Sequence, residues 1–87
     1  MKTVLIEVTA EDIRHGHAGD CSECPVAYAS SRATGRHCLV GRRSMTVHGV
    51  AEVQLPWEAR RFISDFDSLW AMKPQPFSFT IELPEDT

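Results

Sequence analysis

The sequence lacks any apolar run of membrane length. Its opening Met1-Lys2-Thr3-Val4-Leu5-Ile6 stretch meets Glu7 after a few residues, short of the apolar segment of a secretory leader. No stretch approaches the roughly 20 apolar residues of a spanning helix, so no membrane association is expected and the cytosol is the expected location. Cysteine is scarce: three residues, an odd number in a compartment that disfavours permanent cystines, so a structural disulfide framework is not expected. A basic excess is also missing. Nine Lys and Arg against 12 Asp and Glu give a net charge of −3, so nucleic acid is not an expected partner.

Catalytic constellations are absent as well. Gly16-x-x-Gly19 precedes no Lys-Ser or Lys-Thr, so no phosphate loop is present. No Ser or Cys stands in a pattern with a base, and Asp65 and Asp67 read as solvated residues on the outside of a helix. The expectation is that the chain is not an enzyme.

What is present is the patterning of one small domain. At 87 residues the chain has room for a single core, and it buries only about 60–65% of its unfolded surface, so its stability margin is thin. Thr3 to Val8 alternates, with Val4, Ile6 and Val8 on one face, as a half-buried strand requires. Thr9 with Asp12 three residues on predicts one short helical turn anchored by Ile13.

Pro25 suits a first helical position after Cys24, and a helix is expected to about Thr34. Its inner stripe is Val26, Ala29, Ser30 and Ala33, with Ser31 and Arg32 facing water and Gly35 ending it. His37 to Val40 reads as a short strand. Ser44 to Val47 and Val50 to Leu55 read as a hairpin joined at His48-Gly49, with one long bent strand as the alternative.

Pro56 opens a second helix in which Ala59, Phe62, Ile63, Phe66, Leu69 and Trp70 recur at steps of three and four. After Pro74 and Pro76, Phe77, Phe79, Ile81 and Leu83 alternate in a one-sided final strand. The expected fold is α+β, ordered β-α-β-β-β-α-β over residues 1–87, with a mixed, mostly antiparallel sheet and two helices on one face. So small a sheet leaves edges to cover, which makes a homodimer a possible assembly.

Two constellations carry candidate chemistry. Cys21-x-x-Cys24 before a helix has the form of a redox turn, but Asp20 and Glu23 oppose a thiolate and the usual neighbouring aromatic is missing. The same pair is a candidate zinc set with two of His15, His17, His37 and Cys38, of which His15 and His17 are the preferred partners, although neither His37-Cys38 nor His15-x-His17 has standard knuckle spacing. The structural reading is favoured over both: Cys24 fills a small apolar site at the helix start, Cys21 lies in the loop, and Cys38 belongs to the core. No cofactor is then required, with zinc as the alternative.

The second constellation is a surface. Arg32, Arg36, His37, Arg42 and Arg43 make the middle of the chain basic, while Glu58, Asp65, Asp67, Glu82, Glu85 and Asp86 make its last third acidic. Trp57, Arg60 and Arg61 at the start of the second helix have the composition of a binding hot spot, as an alternative to simply closing the end of the core. Trp70 stands at the other end of that helix. Trp57, Arg60 and Arg61, or the basic Arg36, Arg42 and Arg43 loop, are the candidate contact residues.

The stretches Val8-Thr9-Ala10-Glu11-Asp12-Ile13, Gly19-Asp20-Cys21-Ser22-Glu23-Cys24-Pro25-Val26-Ala27, Arg32-Ala33-Thr34-Gly35, Leu55 to Asp67 and Pro76-Phe77-Ser78-Phe79 together resemble small proteins encoded by bacteriophages and actinobacterial genomes. The likeness covers nearly the whole chain, and the Cys24-Pro25-Val26-Ala27 turn and the Phe62-Ile63-x-x-Phe66-Asp67 helix are its most specific parts. It implies a setting and no residue roles. That setting is the host bacterial cytosol, where such a protein acts by binding a host or phage protein, as in host takeover or inhibition of a defence system.

Overall fold

The computed structural model describes residues 1–17, 19–67 and 74–84. Its elements are β1 (Lys2–Val8), α1 (Ala10–His15), α2 (Pro25–Thr34), β2 (Cys38–Val40), β3 (Ser44–Val47), β4 (Ala51–Gln54), α3 (Trp57–Asp67) and β5 (Phe77–Leu83). The class is α+β, as the patterning predicts, and α1 is the short turn expected after Thr9. Leu69, Trp70, Glu85 and Asp86 lie outside the described residues.

The strands differ from the expected single mixed sheet. They form two sheets, β1-β5 and β2-β3-β4, and every pairing is antiparallel. The division follows from strand length and connection. β1 and β5 are matched in length and pair from Lys2 opposite Leu83 to Val8 opposite Phe77, whereas the short middle strands are joined by tight loops and pair consecutively. β4 touches β5 without forming a ladder.

Alternation places the core as expected in the outer strands. Ile6, Val8, Phe79, Ile81 and Leu83 are buried, and Thr3, Leu5 and Glu7 are exposed. In the middle sheet Cys38, Val40, Met45 and Val47 are buried. His48 to Val50 is a turn and not part of one bent strand. Val50 N–H donates to the Val47 carbonyl at 3.0 Å, and Gly49 takes a φ of +75°, which a side chain resists.

α2 packs against β1 and β2 and so links the two sheets. Cys24 caps it, its sulfur accepting the Ala27 N–H at 3.4 Å, and Gly35 closes it in the left-handed conformation. The buried face is Pro25, Val26, Ala27, Ala29 and Ser30; Ala33, expected inside, is exposed. Core contact is concentrated in the helix's first half, so the apolar stripe ends a turn early. The two residues expected to face water are engaged. The Ser31 hydroxyl accepts the Cys38 N–H at 3.2 Å, and Arg32 forms a two-pronged pair with the buried Asp12 at 2.8 and 2.9 Å.

Among the described strands β2 pairs only with β3, so its other edge has to be satisfied elsewhere. Ser31 covers it at Cys38, and the Cys21 carbonyl accepts the Val40 N–H at 2.8 Å. The Cys21–Cys24 turn thus closes a strand edge and starts a helix. α3 joins the core through Ala59, Ile63 and Phe62. Among the described residues no helix is long and apolar enough to cross a membrane.

Candidate functional site

Hairpin register decides which side chains meet. Ser44 faces Gln54, so the next positions outward, Arg43 and Leu55, also face one another, and Leu55 N–H donates to the Arg43 carbonyl at 2.9 Å. Leu55 is buried, and Pro56 follows at once, its carbonyl accepting from the Ala59 and Arg60 N–H groups at 3.1 Å. The Arg42-Arg43 loop is therefore tied to the first turn of α3.

On α3, Trp57, Arg60, Arg61 and Ser64 share one face by their spacing of three and four. With Arg42 and Arg43 they line an open cleft of about 670 Å³, on whose wall the buried Ile63 also lies. Four arginines thus line one cleft together with an indole that is 60% exposed. The Arg61 guanidinium carbon lies 5.4 Å from the Trp57 ring centroid, a cation–π distance, and its Nε is 3.9 Å from exposed Asp65. Among the described residues no carboxylate lies within ion-pairing distance of Arg42, Arg43 or Arg60.

Five of the six candidate contact residues therefore converge, and two surfaces expected as alternatives are one. Arg36 does not join them. It lines a separate hollow with Lys2, Thr34 and Val50, its guanidinium beside Gly49. Ser64 was not a candidate, and its place at i+7 from Trp57 is the signal that identifies it.

The proposed zinc set is not brought together. His15 lies 3.9 Å from Glu11 and His17 lies 3.9 Å from Glu23, both on the exposed surface. Cys21 is exposed, while Cys24 is buried with its sulfur engaged as the cap of α2. Among the described residues no group of three or more His, Cys, Asp or Glu side chains is placed to hold a metal ion. Cys21, Cys24 and Cys38 are thiols, not cystines.

Asp20 organises the loop that holds these cysteines. It accepts the Ser22 N–H at 2.9 Å, the Ser22 hydroxyl at 3.1 Å and the Glu23 N–H at 3.2 Å. Led by the Ser22 backbone bond, these donors hold its carboxyl below the usual carboxylate range. Comparison of the chain with protein-family models, with curated proteins and with solved structures finds no match.

Proposed function

We propose that the chain is a protein-binding module that engages an acidic segment of a partner protein through the arginine cleft. The observation that carries this reading is the convergence of Arg42, Arg43, Arg60 and Arg61 with Trp57 on one cleft, three of them with no carboxylate within ion-pairing distance among the described residues, in a chain of net charge −3. Concentrated positive charge on an otherwise acidic molecule selects a complementary partial surface, and the overall charge repels long polyanions. An exposed Trp flanked by Arg is the usual make-up of an interface hot spot.

Among the described residues the cleft is lined by Arg42, Arg43, Trp57, Arg60, Arg61, Ile63 and Ser64, a set suited to holding an anionic surface. The partner we favour is a protein of the host bacterial cytosol, and the action is takeover or blocking of a host activity by contact, the setting that the resemblance to phage-encoded proteins implies.

The test is titration calorimetry with Glu-rich and Gln-rich peptides of equal length, against the native chain and an Arg42→Glu/Arg60→Glu variant. Binding of the acidic peptide alone, weakened about tenfold or more in the variant and by added salt, is the expected result. Equal affinity of native chain and variant for the acidic peptide rejects the cleft as the site.

A further inference from the structure

The arginine cleft does not end at Arg42. A second pocket of about 210 Å³ shares Arg42 and Ile63 with it, and its wall also includes Phe62, Phe66, Pro25 and Val26. The Phe62 and Phe66 rings stack with centroids 5.9 Å apart, and Phe62 is backed by Phe77 at 4.7 Å. The aromatic wall is therefore braced from behind. An apolar cavity of about 150 Å³ suffices for a benzene ring, so this pocket has room for one large apolar side chain.

Charge gives the pocket a direction. Asp20 lies on the apolar pocket but not on the arginine cleft, and its carboxylate is fixed there by Ser22 and Glu23. An acidic ligand residue is repelled on that side and attracted on the Arg42 side, since the two kinds of charge flank the same opening.

We infer that the partner segment is bipartite: one Phe or Leu side chain seated against Phe62 and Phe66, with a short acidic run on one side of it only, lying on Arg42, Arg43 and Arg60. This rests on reading the cleft as a site for acidic segments, and adds an apolar anchor and a polarity to it. The anchor supplies most of the affinity by leaving water, while the carboxylates set register and speed the encounter. Arg42, common to both hollows, fixes the acidic run immediately beside the anchor.

Fluorescence anisotropy with labelled peptides tests this on the native chain. One peptide pair carries Phe before or after four acidic residues, to sample both chain directions. A second pair replaces Phe with Ser, and a third keeps Phe but replaces the acids with Asn and Gln. The Phe-acid peptide of one direction should bind about tenfold or more tighter than its Ser counterpart. Phe66→Ala, with its fold verified by thermal unfolding, should abolish that advantage and leave the Ser peptide's affinity unchanged. Equal binding of Phe and Ser peptides overturns the bipartite motif and leaves the acidic reading standing. Failure of every acidic peptide to bind, equal binding by the Asn/Gln peptide, or displacement of the acidic peptide by a single-stranded oligonucleotide of the same charge at lower concentration overturns both.

Discussion

Ser30 is fully buried in α2, and its hydroxyl has no hydrogen-bond partner among the described residues. A buried polar group left unpaired costs stability, and alanine is the better helix former. Ser30→Ala should therefore stabilise the fold by about 1 kcal/mol, raising the melting temperature by several degrees; an unchanged or lower midpoint in a thermal unfolding scan refutes the reading. Gly16 is the opposite case. Its φ of −74° suits any residue, but a Cβ there stands 2.5 Å from the Pro25 ring, so crowding alone forbids it. Gly16→Ala should cost about 1–3 kcal/mol in urea unfolding, because the proline that starts α2 has to move. The thiols separate by position too: Cys21 is exposed while Cys24 and Cys38 are buried. That division follows from roles the sequence displays, since a residue before helix-starting Pro25 and one alternating with Val40 both point inward.

Among elements, the junction of β1, α1 and α2 depends on one ion pair. Asp12 accepts the Thr9 N–H at 2.9 Å in a capping box, and Arg32 grips both carboxylate oxygens and also donates to the Glu7 carbonyl at 3.0 Å. The Thr9 and Asp12 half was legible in the sequence, because a capping box lies within four residues. Arg32 was not, since a partner 20 positions away is set by how the elements pack. Arg32 above all, then Thr9, holds the Asp12 carboxyl below its ordinary value of 3.8, against an opposing effect of burial. The folded state thus binds its proton less readily than the unfolded state. This stabilisation is full above the unfolded carboxylate value and is lost as the pH falls through the lower folded value. Arg32→Ala should cost about 1–2 kcal/mol near neutrality, a figure reduced for the exposure of the guanidinium. In urea titrations at successive pH values, its deficit relative to the native chain should shrink below pH ~4. A deficit that persists unchanged in acid counts against the ion pair as its cause.

For the whole molecule, the reach of sequence reasoning follows from the range of each interaction. Strand faces and helix starts were readable because periodicity and capping are local. The two-sheet arrangement was not, because whether β4 joins β5 depends on twist between elements far apart in the chain. The cleft lies between these cases. A two-residue turn at His48-Gly49 would set Arg43 opposite Gln54, whereas the observed three-residue turn His48 to Val50 sets it opposite Leu55, so the hairpin pattern brings the Arg42-Arg43 loop near the start of α3 but does not fix the facing residue.

That convergence also separates function from folding. Arg42, Arg43 and Arg60 have no ion-pair partner among the described residues, yet they stand around one cleft with Arg61. Like charges gathered this way repel one another and weaken the folded state, an arrangement typical of sites whose residues serve binding. Replacing Arg42 and Arg60 together with Gln removes half of the cleft's guanidinium groups without burying anything new. The double variant should match or exceed the native chain in stability at low ionic strength, and any gain should fade toward 1 M salt, where screening extends over only about 3 Å. Urea unfolding at both salt concentrations reads this directly. A clear loss of stability in the variant would mean that the arginines hold the hairpin to α3, and their convergence would then be a feature of the scaffold.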